Sequence, residues 1–78
     1  MPLVRISVPD MLTAGEIRGL ADAVHEAMVD TVDVPANDRF QVITSHRPDG
    51  LIIDPAYFGV ERSPRASIIQ ITFRRTRS

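Results

Sequence analysis

The 78-residue chain contains no cysteine, no lysine and no tryptophan. Without cysteine, neither a disulfide nor a thiolate centre can form. The two histidines, His25 and His46, lie far apart along the chain and lack the spacing of metal ligands. We therefore expect no metal and no cofactor, so any chemistry has to come from other groups.

Long apolar segments are also missing. No stretch approaches the roughly 18 apolar residues of a membrane-spanning helix. The start of the chain lacks the basic and apolar regions of a signal peptide. From these absences we expect a cytoplasmic protein with no membrane partner. A chain this short buries only a modest fraction of its surface, so we also expect it to need partner subunits for stability.

Charge is unevenly distributed along the chain. All nine cationic side chains are arginine, and the net charge is −1. The first 61 residues hold all ten acidic residues, whereas the last 17 hold five arginines and no acid. Arginine binds carboxylates through two parallel hydrogen bonds. A nucleic-acid surface normally carries broader positive charge than this, so we expect no nucleic-acid partner. The plain alternative to carboxylate binding is that the arginine-rich segment is simply a solvated chain end.

Hydrophobic periodicity predicts an α+β fold of the β-α-β type, in a single domain over residues 1–78. Thr13 and Glu16 form a T-x-x-E capping box that opens a helix with apolar residues at helical spacing. Acidic residues spaced four apart, Asp22 among them, line the other helix face, which we expect to be solvated. The predicted helix covers 14–32, and the predicted four-stranded mixed sheet is formed by 3–8, 40–46, 51–53 and 66–73.

The chain contains an internal repeat. Residues 3–13 align without gaps with residues 68–78, so that Val4 matches Ile69. A second half-repeat then begins at about residue 66 and is cut before its helix. If a pseudo-twofold axis relates the two units, their first strands lie side by side and antiparallel, and the start of one strand meets the end of the other.

Pro2 directly follows the initiator methionine, which is removed when the next residue is small or proline. A terminal proline nitrogen is a secondary amine, and an unperturbed terminal amine has a pKa of about 7.7 to 8.0. Such an amine can act as a base, an acid or a nucleophile near neutral pH. The predicted twofold axis places Pro2 beside Arg74–Arg77. An amine and several guanidinium groups would then lie close together, which suits a small carboxylate substrate.

These residues resemble the tautomerase superfamily, whose β-α-β members act through an N-terminal proline. More specifically, the chain is similar to the malonate semialdehyde decarboxylase group. Members of that group contain two full β-α-β halves, so we expect either a naturally short member that assembles into a hexamer or a piece of a longer chain. The matching segments are MPL at the start, LADAVHEAMVD (20–30), VPANDRFQVITSHRPDGL (34–51) and RRTRS (74–78).

The resemblance implies a set of site residues. Pro2 matches the catalytic proline, and Asp38 matches the active-site aspartate of the group. Arg75 and Arg77 match its two substrate-binding arginines, spaced R-x-R. Arg74 and Arg77 instead match the R-x-x-R spacing of the related cis-3-chloroacrylic acid dehalogenases, and the sequence does not choose between the two spacings.

Some of these residues have plain structural alternatives. Asp38 is either a site residue or a surface turn residue with a local salt bridge to Arg39. Phe40 is either the wall of a substrate pocket or part of the core. His25 is expected to be a packing residue, and His46 is expected to shape the turn that follows the second strand.

The main functional hypothesis is a cofactor-free isomerase or lyase that acts on a small 2- or 3-oxo carboxylate or its enol. The arginines hold the carboxylate, and Pro2 transfers the proton. A tautomerase needs Pro2 neutral, whereas a decarboxylase or hydratase needs it protonated. The alternative is a non-catalytic β-α-β assembly module or a subunit of a larger oligomer. In both cases we expect a homo-oligomer, a trimer or hexamer, because the apolar strand 66–73 has no helix of its own to cover it.

Overall fold

The computed structural model of the chain describes residues 2–56 and 65–73. Four elements follow one another, and they correspond to four of the five elements predicted from the sequence. Within the described residues, no helix is long and apolar enough to cross a membrane. The elements are β1 (Pro2–Pro9), α1 (Ala14–Val32), β2 (Gln41–His46) and β3 (Ile68–Phe73).

Helix α1 begins at a capping box. The backbone N–H of Thr13 donates to Oε1 of Glu16 at 2.9 Å, and the N–H of Glu16 donates to the Thr13 hydroxyl oxygen at 3.2 Å. The predicted box is therefore confirmed. The helix ends before Pro35, because Asp33 adopts the left-handed conformation with φ 57° and its N–H donates to the carbonyl oxygen of Met28.

Strand β1 is the centre of a three-stranded sheet with the order β2-β1-β3. It runs parallel to β2, with Val4 opposite Gln41, and antiparallel to β3, with Val4 opposite Ile71. The parallel pair and the helix that connects it form the predicted β-α-β unit. The predicted α+β class with a mixed sheet is confirmed.

The register between β1 and β3 is symmetric about one residue pair. Arg5 lies opposite Gln70, and these two residues are equivalent in the internal repeat. Next to this pair, Val4 lies opposite Ile71, which is the repeat equivalent of Ile6. A twofold axis through the central pair produces this register, so the predicted antiparallel arrangement of the two strands is confirmed.

The predicted fourth strand over 51–53 is wrong. These residues form no strand, and the described sheet has three strands. Both sides of β1 are already paired, with β2 and β3, and the segment follows a turn in which the N–H of Gly50 donates to the carbonyl oxygen of Arg47 at 2.8 Å. Ile52 is 83% exposed. Leu51 and Ile53 are half-buried, so the apolar triplet packs in part against the rest of the chain but does not pair in the sheet.

The core lies between α1 and the face of β1 that carries Val4, Ile6 and Val8, since alternate residues of a strand point to the same face. Its buried residues are Val4, Ile6, Val8, Ala21, Met28 and Val34. On β3, the residues opposite Pro2, Val4 and Ile6 share this face of the sheet, yet all three are exposed. Helix α1 therefore covers β1 and leaves the same face of β3 uncovered. These β3 residues, Ile69, Ile71 and Phe73, are called the β3 apolar row below.

Candidate active site

Pro2 is the first residue of β1 and is buried. In the antiparallel ladder it lies opposite Phe73, the last residue of β3. Strand β3 therefore ends at the same edge of the sheet where β1 begins. The sequence prediction did not single out Phe73, although its place at the end of the last strand is the signal that could have done so. Outside the described residues lie Met1 and the three predicted arginines, Arg74, Arg75 and Arg77.

The start of β2 lies at this edge as well. The backbone N–H of Val4 donates to the carbonyl oxygen of Phe40 at 3.0 Å, and β1 and β2 are parallel. Asp38 and Phe40, which directly precede β2, therefore lie toward the end of the sheet where Pro2 begins β1. We call this end of the sheet, with Pro2, Asp38, Phe40 and Phe73, the Pro2 edge. It brings together three of the predicted site residues.

Asp38 and Phe40 are both accessible at the Pro2 edge. The N–H of Asp38 donates to the carbonyl oxygen of Pro35 at 2.9 Å, which fixes a turn before β2. The half-buried Asp38 carboxylate makes no hydrogen bond or ion pair with any described residue. Phe40 is 49% exposed, so the alternative that it is a core residue is wrong. Both side chains are therefore available to a bound molecule.

Arg39 lies between these two residues and is bound to helix α1. Its Nη2 donates to Oδ1 of Asp22 at 2.7 Å, and its Nε donates to Oε1 of Gln41 at 2.9 Å. The side-chain amide of Gln41 in turn donates to the carbonyl oxygen of Ala21 at 2.9 Å. The local salt bridge from Arg39 to Asp38, one of the sequence alternatives, is not formed because Arg39 is directed to the helix. We call Asp22, Arg39 and Gln41 the Arg39 network.

The acidic helix face is solvated as expected at Glu26 and Asp30, which are exposed, whereas Asp22 pairs with two arginines while its side chain stays 44% exposed. Its Oδ1 also accepts a hydrogen bond from Nε of Arg18 at 3.1 Å. The hydrogen bond from Arg39 is the main reason why the pKa of Asp22 lies below its ordinary value of 3.8; Arg18 lowers it further, while desolvation opposes both. Sequence reasoning missed Asp22 and Arg39, since no local spacing connects residues that meet only in the folded chain.

The two histidines have structural contacts. Nε2 of His25 lies 2.9 Å from the carbonyl oxygen of Ala36, which ties α1 to the loop before Asp38. Nε2 of His46 lies 2.8 Å from the hydroxyl of Thr44, at the far end of β2. Within residues 2–56 and 65–73, no group of three or more His, Cys, Asp or Glu side chains could hold a metal ion.

A cavity of about 360 Å³ opens at the end of the sheet opposite to Pro2. Its lining is mostly apolar, and the described part of it contains no residue of the Pro2 edge. The candidate site is placed at the Pro2 edge because that edge holds Pro2 and Asp38, the residues for which the sequence predicts acid–base chemistry. Among the residues that line the cavity are Pro9, Met11, His46, Leu51 and Ile53.

Comparison with known proteins identifies the family. The family model described as "Tautomerase enzyme" matches residues 38–78, just over half of the chain. The chain belongs to the tautomerase family. The matched range begins at Asp38, and it contains Phe40 and the three arginines predicted to bind substrate.

Two curated relatives carry the same family name. The probable tautomerase YusQ of Bacillus subtilis (strain 168) is 30% identical over 78 residues, which are 100% of this chain and 61% of that protein. The probable tautomerase YrdN of the same organism is 28% identical over 72 residues, which are 92% of this chain and 56% of that protein. The chain therefore spans less than two thirds of the length of these relatives.

Two solved structures share the fold. The FG41 malonate semialdehyde decarboxylase inhibited by 3-bromopropiolate is 42% identical, with a TM-score of 0.79 over 86% of this chain and 51% of that chain. A second malonate semialdehyde decarboxylase, solved as wild type, as a proline-to-alanine mutant and in an inactivated form, is 36% identical, with a TM-score of 0.78 over 86% of this chain and 52% of that chain. The predicted resemblance to the malonate semialdehyde decarboxylase group is confirmed.

Proposed function

We propose that the chain is a cofactor-free enzyme of the tautomerase superfamily in which Pro2 is the general acid or base. Its substrate is a small oxo- or enol-carboxylate held by arginines among Arg74, Arg75 and Arg77. The pairing of Pro2 with Phe73 supports this proposal most strongly, because the arginines directly follow Phe73 in the sequence. In the proposal, these arginines hold the substrate carboxylate within reach of Pro2 at the start of β1.

Pro2 supplies the proton chemistry in this proposal. Once Met1 is removed, the Pro2 nitrogen is a secondary amine. It belongs to a buried residue, the first of strand β1. As a neutral amine it takes a proton from an enol hydroxyl and returns a proton to carbon, which is a keto–enol tautomerisation. As a cation it donates a hydrogen bond to a carbonyl oxygen.

Charged neighbours decide which of these two forms Pro2 takes. A nearby carboxylate stabilises a protonated amine, and a nearby guanidinium destabilises it. In the proposal, Asp38 stabilises the protonated form of Pro2, and the substrate-binding arginines destabilise it. The pKa of Pro2 therefore separates a tautomerase, in which the amine is mostly neutral, from a decarboxylase or hydratase, in which it is mostly protonated.

Similarity to two malonate semialdehyde decarboxylases favours a 3-oxo carboxylate as substrate. In such a decarboxylation the bond between the carboxylate carbon and the neighbouring carbon breaks. Carbon dioxide leaves, and the electron pair forms an enolate, which is then protonated on carbon to give the aldehyde. Protonated Pro2 stabilises the charge that develops on the enolate oxygen and supplies the proton.

We also propose that the chain assembles with further copies of itself into a trimer or hexamer. The β3 apolar row supports this, because exposed apolar side chains on an edge strand favour association. The relatives are longer than this chain. We propose that a second copy of the chain covers the β3 apolar row. It would supply a helix and a strand in the place where the relatives have further sequence of their own.

The function is tested with the variant Pro2→Ala. We expect it to lose most turnover of malonate semialdehyde, measured as acetaldehyde formed, or of the enol of phenylpyruvate, measured as its ketonisation. Alanine also gives a terminal amine, but a primary one with a different shape and basicity. Turnover of both compounds within about twofold of the wild type would rule out the proline mechanism.

Two controls accompany this experiment. Pro9→Ala changes the same residue type at the other end of β1 and is expected to keep full turnover. An intact mass spectrum shows whether Met1 has been removed, since a retained methionine leaves Pro2 as an amide. Retained Met1 in a fully active protein would contradict the proposal.

A further inference from the structure

We propose that Asp22 and Arg39 are positioning residues of the active site, which hold Asp38 and Phe40 in place at the Pro2 edge. This inference rests on the proposed function, because it concerns how Asp38 is presented to Pro2 and the substrate. Neither residue belongs to the set implied by the family resemblance.

The Arg39 network ties the start of β2 to two successive residues of α1. Arg39 binds Asp22 at 2.7 Å and Gln41 at 2.9 Å, and Gln41 binds the carbonyl oxygen of Ala21 at 2.9 Å. The side chain of Arg39 is only 28% exposed. An arginine held by two acceptors has a fixed direction, because the guanidinium is planar and its donors form a rigid fork.

The segment that carries Asp38 is thereby held from two sides. On the sheet side, the N–H of Val4 donates to the carbonyl oxygen of Phe40 at 3.0 Å. On the helix side, Arg39 is fixed through its guanidinium to Asp22. Asp38 and Phe40 are the residues on either side of Arg39. Their backbone therefore cannot shift without breaking one of these two attachments.

The ion pair has a second, electrostatic consequence. Asp22 binds Arg39, the cation next to Asp38 in sequence, and the Asp38 carboxylate forms no ion pair with any described residue. If Asp22 were neutral, the Arg39 guanidinium would lose its carboxylate partner and would be free to pair with Asp38, its neighbour in the sequence. Loss of Asp22 would then withdraw Asp38 from the site, even though Asp22 itself does not touch the substrate.

The test is a double-mutant cycle between Arg39 and Asp38, read out by turnover of malonate semialdehyde. We expect Arg39→Gln to lower kcat by about ten- to a hundredfold, the order of loss that a displacement of about 1 Å produces, with KM changed less than kcat. Asp22→Asn is expected to have a similar effect, and Arg39→Lys a smaller one because the charge is kept. In the Asp38→Asn background, Arg39→Gln should cause little further loss, since both changes remove the same positioned carboxylate.

A matched control is Arg47→Gln, which breaks an exposed pair with Asp49 at 3.7 Å and is expected to leave kcat unchanged. Unfolding midpoints of all variants show whether a loss of turnover follows from a loss of folding. The positioning role would be overturned if the losses of kcat in Arg39→Gln and Asp38→Asn multiplied in the double variant, or if Arg39→Gln kept full turnover. The proposed function would survive either result as long as Pro2→Ala remained inactive. Full turnover in Pro2→Ala would overturn the proposed function itself, and this inference with it.

Discussion

The central strand β1 and its neighbour β3 differ in how helix α1 covers them. Ile6 and Ile69 lie opposite each other on the same face of the sheet, yet Ile6 is 1% exposed and Ile69 is 42% exposed. Both residues are isoleucine in a strand, so side-chain chemistry does not cause the difference. Helix α1 covers one strand and not the other. The comparison shows that burial here is decided by the covering layer and not by the strand sequence.

The candidate site lies where these two strands meet, at the Pro2 edge. Pro2 starts the covered strand β1, and Phe73 ends the uncovered strand β3. The covered side supplies a rigid frame, to which the Arg39 network attaches Asp38 and Phe40. The uncovered side has an apolar surface that a second copy can bury. The predictions below test this contrast, from the largest expected effect to the smallest.

The largest effect is expected from the isoleucine pair itself. Ile6→Ala should lower the free energy of unfolding by about 2–5 kcal/mol, because it leaves a cavity in the core. Ile69→Ala should lower it by only about 1 kcal/mol, since the side chain is already half in water. Urea unfolding of the two variants at a protein concentration low enough to dissociate the proposed assembly measures both values. Equal losses at low protein concentration would show that the two sides do not differ as described.

The next effect concerns assembly through the β3 apolar row. We expect the wild-type chain to sediment with a mass several times its 8.7 kDa at micromolar concentration. A charge at the centre of the row, in Ile71→Glu, should shift it toward the monomer, because an unpaired carboxylate is costly to bury in an apolar contact. The control Ala27→Glu places the same charge on an exposed position of α1 and should leave the mass unchanged. A monomeric wild type would contradict the proposed assembly.

A smaller effect is expected at the start of the helix that covers β1. Thr13→Ala removes the hydroxyl that accepts from the N–H of Glu16 and should lower stability by about 1 kcal/mol. Thr31→Ala is the matched control, because the Thr31 hydroxyl bonds back to the carbonyl oxygen of Ala27 within the helix and stabilises no cap. Urea midpoints that fall equally in both variants would show that the cap does not matter for the covered side.

The smallest effect is a pH dependence on the helix side. The pKa of Asp22 is lowered in the folded state, chiefly by the hydrogen bond from Arg39. The contribution of this pair to stability is therefore present above the unfolded pKa of an aspartate and is lost as the pH falls through the lower, folded value. The wild type should unfold at higher urea than Asp22→Asn near neutral pH, and the gap should close below about pH 4. A gap that stays constant into the acid range would show that the pair is not the cause.

Local signals in the sequence were sufficient for much of the fold. The capping box and the apolar period predicted the helix over 14–32, and the structure has it at Ala14–Val32. The internal repeat predicted that β1 and the last strand run antiparallel, which the register about Arg5 and Gln70 confirms. The segment 51–53 was predicted wrongly. A short apolar run indicates that its side chains avoid water, but it does not indicate whether a partner strand is available to pair with it.

The site was only partly predictable, for a physical reason. The place of Pro2 after Met1 and the resemblance both pointed to Pro2, the resemblance added Asp38, and Phe40 had two interpretations, pocket wall or core. The repeat indicated only which end of the last strand Pro2 meets. The pair of Asp22 and Arg39 could not be found in this way, since it joins a helix face to a strand start and exists only after the chain has folded. Ion pairs of this kind carry no periodic signal in one sequence.

The central claim is that Pro2 is an ionisable amine that transfers the proton at the Pro2 edge. The most direct measurement is a pH titration of the Pro2 nitrogen by NMR with isotopically labelled proline, set beside the pH dependence of turnover. The account predicts that this nitrogen titrates as an amine, and that its pKa coincides with the pH at which turnover changes. A Pro2 nitrogen that stays an amide at every pH in an active protein, or that titrates without any change in turnover, would contradict it.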